Sequence, residues 1–542
     1  MNSKIKKIFC GALCSIVLVG SLVTTGIRNT FNVKAESPRK VKNVIMLIGD
    51  GMSTEAITLA RWYNNGQPLA MDEISVGAVK TYWVDGPITD SAPGGTAYAV
   101  GQKTKNKYVG VSKDKKPLAT ILEAAKLDGK ATGLVVTCEV PHATPADFSA
   151  HIDSRSNYDA IIKQQVYNGL DVVLGGGKKY SEVYKDELIA KGYDYVTTKQ
   201  EMLQATSNKI WGMFADVDMA YDIDREKTRA EEPTLAEMTK KAIEVLSKDK
   251  DGFFLMVEGS KIDWAAHAND PVGMVTDIIA FDRAVKVAID FAKEDANTVV
   301  IVTTDHGNSG ISIGNFETGS TKDKRYSYDN ISFEDSVNKI KNFKMTAQTF
   351  NNLIVGKSDD EIRSIVAENY GINDLNSDEL NKIKSNKINE VISARLRVGF
   401  TTGGHTGEDV YLGIYAPFGV EKLKGVVDNT EVNRYMQRIL LGEEKLNTLT
   451  GELFVEGQSA FEAKGATVNI IIPKVQDPKD ATKEIDDVKN AYVIVTKGSD
   501  VLKLYLYTNK YELNGNIVEI ESVMPFVSGK FYIPNKIVDL IK

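Results

Sequence analysis

The sequence predicts an α/β protein: an open, mostly parallel sheet flanked by helices on both faces, with a helical insertion and a small β-rich C-terminal domain. Three observations predict it. From Val41 to about Leu441, short, nearly continuous apolar runs alternate with longer stretches of helical periodicity, the pattern of buried parallel strands joined by helices. Residues 333–398 break that alternation with amphipathic, Lys-, Asp- and Asn-rich stretches. After Gly442 the texture turns to Val, Ile, Thr and Tyr alternating with period two, which reads as half-buried strands.

Residues 1–35 stand apart from this pattern. Lys4, Lys6 and Lys7 precede an apolar run from Ile8 to Val23, and Val33-Lys34-Ala35 comes before Glu36. A charged start, a short apolar middle and a small-residue exit predict a secretory signal peptide; the run is short for a membrane span. The protein is therefore expected to be secreted or held at the cell surface. The chain carries 66 Lys and Arg against 73 Asp and Glu. Losing the leader removes five basic residues and no acidic ones, leaving a net charge of about −12. That argues against a non-specific nucleic-acid binder, which carries a basic surface. It leaves room for an anionic substrate, because bound metals invert the local field. Cys10 and Cys14 leave with the leader, so Cys138 remains alone and no internal disulfide is expected. It reads as a packed small residue.

The strands are expected at Val44–Ile48, Gly133–Thr137, Val172–Leu174, Phe253–Val257, Val299–Thr303 and Tyr411–Tyr415, with helices such as Ala119–Leu127, Thr234–Leu246 and Thr276–Ala292 between them. The insertion is expected to hold three helices, Lys341–Asn352, Asp359–Glu368 and Ser377–Ile392. In the C-terminal region, Val501–Tyr507, Ile517–Ile520 and Lys530–Ile533 are strands separated by Asn-Gly and Ser-Gly turns. Segment 513–542 resembles part of the small β module named after the N-terminal domain of copper amine oxidases.

Chemistry collects at the strand ends, where ligands bind in open α/β sheets. The chain has five histidines, His142, His151, His267, His306 and His405. Asp305-His306-Gly307 ends the strand Val299–Thr303 and offers oxygen and nitrogen to one Zn²⁺. Glu258 ends the strand Phe253–Val257. Asp263 and His267 follow it four residues apart, on one face of a helix. Glu258 alone suits a hard ion such as Mg²⁺. Asp50 ends the first strand between Gly49 and Gly51, and Ser53 is the natural cap of the next helix. His405 lies in a glycine-rich loop. In Thr89-Asp90-Ser91-Ala92-Pro93, a small-residue turn enters a helix and presents Ser91 near its N-terminus, where anions are favoured. That hydroxyl needs metal coordination for activation, in the absence of a neighbouring base. Arg155 offers a planar fork for phosphate oxygens.

Taken in order, Gly49-Asp50-Gly51-Met52, Thr89-Asp90-Ser91-Ala92, His142-Ala143-Thr144-Pro145 with Ala150-His151 to Arg155, Glu258-Gly259 to Asp263 and His267, Thr304-Asp305-His306-Gly307 and His405-Thr406-Gly407 closely resemble the alkaline phosphatase family over residues 43 to about 442. The resemblance implies an alkaline phosphatase-like catalytic domain over 36–442 and leaves 443–542 as a β-rich domain without assigned role. It implies one Zn²⁺ on Asp263, His267 and His405, a second on Asp50, Asp305 and His306 with Ser91, and Mg²⁺ on Asp50, Thr144 and Glu258. Ser91 would be the nucleophile, forming a phosphoseryl intermediate from phosphate monoesters, and Arg155 the phosphate clamp, with His142, His151 and Trp264 nearby. The best-known bacterial pattern has Asp and Lys where this chain has His142 and Trp264. Imidazole is a softer ligand than carboxylate, and Trp264 removes a cation near the phosphate. A phosphodiesterase sharing the zinc pair, or a metal-stabilised surface binding protein acting through the C-terminal domain, stay open as alternatives, as do a homodimer and a cell-surface contact.

Overall fold

In this computed structural model, residues 39–315, 318, 331–334 and 336–541 are described. The expected signal peptide lies outside them. Lys40–Lys542 forms one compact unit. No described helix is long and apolar enough to cross a membrane.

The central sheet has ten strands: β1 (Asn43–Gly49), β2 (Ser75–Lys80), β3 (Ala131–Glu139), β4 (Val172–Gly176), β5 (Asp194–Val196), β6 (Ile210–Met213), β7 (Phe253–Gly259), β8 (Thr298–Thr303), β9 (Val410–Tyr415) and β10 (Gly425–Asp428). Their order is β10-β2-β9-β8-β1-β7-β3-β4-β6-β5. Every pairing is parallel except those of β9, which runs antiparallel to both β2 and β8. All six expected strands are present. Every residue of β1, β7 and β8 is buried, as apolar runs covered on both faces require. One hydrophobic cluster lies on each side of the sheet, built from alternate residues of the same strands: Ile45 and Leu47 of β1 on one face, Val44, Met46 and Ile48 on the other.

Register brings the reactive ends together. Ile48 lies beside Glu258 on one side and Thr303 on the other, and Val136 of β3 lies beside Glu258. The carboxyl ends of β8, β1, β7 and β3 therefore open onto one patch. Five helices frame it: α1 (Thr54–Tyr63), α2 (Ser91–Val100), α3 (Ala143–Ser149), α4 (Lys261–His267) and α5 (Pro271–Asp295). Helices α2 and α3 pack closely because α2 is lined with small residues; a Cβ on Gly95 would come within 2.3 Å of Asp147 Oδ2. Asp270 starts α5, accepting from Val272 N through Oδ1, with Pro271 at the first helical position. Its Oδ2 accepts from Ala347 N at 2.7 Å, which ties the insertion to the segment carrying Asp263 and His267.

The insertion differs from expectation. Lys341–Asn352 is not one helix: a 3₁₀ turn, Val337–Asn342, is followed by Ala347–Leu353, which Thr346 caps by accepting from Thr349 N. Ser377–Ile392 is likewise two helices, Ser377–Lys384 and Ile388–Leu396, divided where Asn386 adopts φ 60°, a left-handed position that Asn tolerates and that ends a helix. Ser53 precedes α1 but its hydroxyl does not cap the helix; it donates to Asn308 O.

The C-terminal region holds a five-stranded antiparallel sheet from Thr467–Ile471, Tyr492–Lys497, Asp500–Tyr505, Lys510–Leu513 and Asn516–Glu519. Asn514 and Gly515, both at positive φ, turn the last hairpin, the backbone a two-residue primed turn requires. Its core is not its own alone. Phe461, Val493, Leu502, Leu504 and Phe531 share a cluster with Ala143, Ala146 and Ile161 of the site side. Phe461→Ala should cost about 3–5 kcal/mol, read as a lower urea midpoint. It should also raise hydrogen exchange in residues 143–149; unchanged exchange there would mean the two sides hold separately.

Candidate metal centre

Three imidazoles face a nest of carboxylates. His267 Nδ1 donates to Gly403 O and His405 Nδ1 to Thr89 O, each at 2.8 Å. A carbonyl can only accept, so both Nδ1 atoms carry a proton and the Nε2 of each ring faces the cluster. Those Nε2 atoms lie 3.1 Å apart, and Asp263 stands 3.4 Å from one and 3.7 Å from the other. His306 stacks on His405 with ring centres 3.6 Å apart. Its Nε2 lies 3.2 Å from Asp305 Oδ2, 3.5 Å from Asp50 Oδ1 and 3.2 Å from Ser91 Oγ. Asp263, His267 and His405 form one group that could hold a metal, and Asp50, Asp263 and His306 another. Asp50 and Asp263 thus approach a common centre, which the sequence reading did not anticipate for Asp263.

Burial makes this arrangement costly without a cation. Asp50, Asp305 and Glu258 are fully buried. Both oxygens of Asp50, Oδ2 of Asp305, Oε1 of Glu258 and Oγ1 of Thr144 have no hydrogen-bond partner. Buried unpartnered oxygens of this kind fit divalent cations. Burial, then repulsion from Asp305, Asp263 and Glu258, drives the Asp50 carboxyl well above its usual range. Burial and Asp305 push Glu258 up to about 8. Asp263 goes the other way: burial would raise it, but hydrogen bonding to His267 and the charge of the neighbouring imidazoles pull it down. Hydrogen bonding to Asp263 raises His267 to about 9.

Backbone shape permits the approach. Gly51 has φ 62°, and a Cβ there would stand 2.5 Å from Asp263 Oδ1, so only glycine lets the β1 loop close on α4. Ser91 is the first residue of α2; Asp90 precedes it as the cap position but does not cap. The Asp90 carboxylate accepts instead from Arg155 Nη1 at 2.6 Å. Burial would raise its carboxyl, but Arg155 holds it down; burial would lower the Arg155 guanidinium, but Asp90 raises it. Arg155 Nη2 also donates to His142 Nε2 at 2.9 Å. Burial and then Arg155 keep His142 neutral, down at about 3. Trp264 meets the His142 ring edge-on at 6.0 Å. The loss of a cation at position 264 is not the loss of all charge: Lys261 Nζ lies 4.0 Å from the Trp264 ring centre and 2.5 Å from Asp218 Oδ2.

His151 does not join the cluster. Its two ring nitrogens are taken by Gly110 O at 2.8 Å and Glu123 Oε1 at 2.9 Å, and Phe454 packs edge-on against it. Two site residues escaped the sequence reading. Asp90 was quoted beside Ser91 but given no task. Asn308, whose Nδ2 donates to Asp263 Oδ1 at 2.6 Å, lies two residues beyond His306, a spacing that was its only signal.

The sequence matches the alkaline phosphatase family over residues 41–441. The chain belongs to the alkaline phosphatase family. It is 37% identical over 473 residues to alkaline phosphatase 3 of Bacillus subtilis, covering 82% of this chain and 98% of that protein. Among solved structures it resembles the cold-active alkaline phosphatase of a psychrophilic Shewanella, at 32% identity and TM-score 0.66, over 73% of this chain and 99% of that one. A Mg-bound structure of a variant alkaline phosphatase from the Antarctic bacterium TAB5 matches at 27% identity and TM-score 0.57, over 75% of this chain and all (100%) of that one. Members of this family depend on metals, in keeping with the donors described above.

The His151–Glu123 pair carries its own pH signature. Burial would lower His151, but Glu123 raises it; burial would raise Glu123, but His151 lowers it. The Glu123 share of stability is present above its unfolded pKa and fades as pH falls through the folded one. The His151 share is present below its unfolded pKa and fades as pH rises through the folded one. Glu123→Gln should therefore lower Tm more near pH 6 than near pH 9, measured by thermal melts. An equal loss at both would show that the pair is not ionic.

Proposed function

We infer that this protein hydrolyses phosphate monoesters to an alcohol and inorganic phosphate through a phosphoseryl intermediate on Ser91. The observation that carries the reading is the Ser91 hydroxyl at the start of a buried helix, 3.2 Å from His306 Nε2 among unpartnered buried carboxylates. One Zn²⁺ fits Asp263, His267 and His405; a second fits Asp50, Asp305 and His306 together with Ser91. The oxygen donors Asp50, Thr144 and Glu258, taken alone, suit Mg²⁺. When bound, such ions supply Lewis-acid charge that lowers the pKa of a hydroxyl or water and neutralises oxygen charge in the transition state.

The protein's own groups do the rest. Helix α2 points its positive end at an incoming dianion. Ser91 Oγ attacks phosphorus, the ester oxygen departs, and the serine carries the phosphoryl group until water displaces it and restores the hydroxyl. Arg155 spreads its two donors over phosphoryl oxygens as charge develops there, while Asp90 holds the guanidinium in place. The carbonyls of Gly403 and Thr89 keep the His267 and His405 rings oriented through turnover. Trp264 offers no cation to a departing phosphate, so product is retained weakly. The leader, residues 1–35, exports the chain. The catalytic region spans 36–442, and the β-rich region 443–542 braces it through the shared core beneath α3.

An aryl phosphate should be hydrolysed and its methyl diester left nearly untouched; a preference for the diester would overturn the monoesterase reading. Ser91→Ala should lose on the order of 10³- to 10⁶-fold in kcat, and a chelator should abolish activity until Zn²⁺ is restored. Turnover unaltered in S91A would sink the nucleophile assignment. Trp264→Lys should tighten phosphate inhibition roughly fivefold, about 1 kcal/mol for one cation facing a dianion across solvent; an unchanged inhibition constant would count against that role.

A further inference from the structure

A cleft of about 470 Å³ opens where residues 159–184 meet the β-rich region. The first segment lines it with Lys163, Tyr180 and Tyr184; the β-rich region adds Lys489, Tyr505 and Lys510. Those last three lie beyond residues 41–441, the stretch that matches the family. The cleft therefore exists because the β-rich region is appended. Its size and aromatic lining are those of a small-molecule site between two parts of a chain.

The lining groups differ in what they have left to offer. The hydroxyls of Tyr167 and Tyr505 are committed to Glu187 and Glu512. Those of Tyr180 and Tyr184 have no hydrogen-bond partner among the described residues. Burial pushes the Tyr184 phenol up to about 12, so it remains a donor. Both rings are held by neighbours: Tyr180 lies edge-on to Tyr158 at 5.1 Å, and Tyr184 edge-on to Tyr167 at 6.5 Å. Lys489 and Lys510 are paired with Asp159 and Glu187. Lys163 is different. It is buried, and its ammonium donates to Lys489 O at 2.6 Å and Asn490 Oδ1 at 3.3 Å. An ammonium has three donors, and no carboxylate among the described residues is ion-paired with this one. Burial pulls it down to about 8, against the charge of Asp487. An anion brought into the cleft would offset that burial.

We propose that this cleft binds an acidic sugar, with its ring face against Tyr184, its hydroxyls on the two free phenols and its carboxylate on Lys163. A sugar has an apolar ring face edged by hydroxyls, and tyrosine answers both with an apolar body and a polar tip. One ammonium without an ion pair suits one negative charge. A phosphate dianion is better served by arginine forks, and no arginine lines the cleft. The chain has a formal net charge of −7, so its overall field does not draw anions in; the attraction is local to Lys163. None of these residues belongs to the metal centre. The proposal goes beyond the phosphatase reading and stands or falls without it.

Calorimetric titration of the full chain tests it with trisaccharides of galacturonate, glucuronate and mannuronate, and with the neutral methyl esters of the same sugars. At least one acid should bind, and its ester at least about tenfold more weakly, the scale of a hydrogen bond to a charged group. Tyr184→Ala and Lys163→Met should each weaken binding of that acid by at least about tenfold and leave turnover of an aryl phosphate unchanged. No binding by any of the three acids overturns the proposal, as does equal affinity for acid and ester or undiminished binding by Y184A. A triglutamate peptide that binds as tightly as the sugar would show a general anion site and overturn the sugar assignment. Should K163M fail to fold, because Lys163 also ties down residues 489–490, the acid-against-ester comparison and Y184A still decide.

Discussion

Buried negative charge is the constraint on which the site depends. Asp50, Asp263, Asp305 and Glu258 converge at the ends of adjacent strands, with imidazole lone pairs aimed into the same space. Removing a carboxylate from water costs several kcal/mol even after relaxation, and the neighbouring charges raise Asp50 and Glu258 further. The fixed cations close by are already committed, Arg155 to Asp90 and Lys261 to Asp218. Without metal the cluster must take up protons, as the raised Asp50 and Glu258 carboxyls express. Divalent cations remove the conflict, so affinity for metal and the cost of the empty site have one origin.

The sheet imposes that convergence. Parallel register aligns the carboxyl ends of β8, β1, β7 and β3, and each strand hands its first loop residues to the same patch. Helix α2 then brings Ser91 in from the other side, because its small residues let it lie against α3. Helix α3 in turn rests on a cluster built mostly from residues after Ala460. The β-rich region thereby reaches the site through packing, without contributing a donor to it.

Much of this was legible in the sequence because two signals survive without tertiary information. Apolar runs mark buried strands, and polar residues directly after such runs mark the ligand-binding ends; Asp50, Glu258, Asp305 and His306 carry both signals. Ser91 was legible through its small-residue surroundings. The failures share a physical cause: competition for a hydrogen bond by a group distant in the chain. Ser53 looked like a cap, but Asn308 O, 255 residues away, takes its proton. Asp90 is at a cap position but is claimed by Arg155. His151 looked like a site residue, but Glu123, which also accepts from Thr120 N to start its helix, claims the ring. Asn386 split a helix whose periodicity ran straight through it.

The departures from the best-known bacterial pattern belong together. His142 and Trp264 touch edge to face, Lys261 lies over the far ring, and Cys138 reaches the same Glu258 that approaches His142. His142 puts imidazole in place of carboxylate, and Trp264 puts indole in place of ammonium. Lys261, about one helical turn before Trp264, lies over the indole ring and is paired with Asp218. Arg155 is paired with Asp90 and donates to His142 Nε2. One imidazole ring thus links Trp264 to the guanidinium that Asp90 holds.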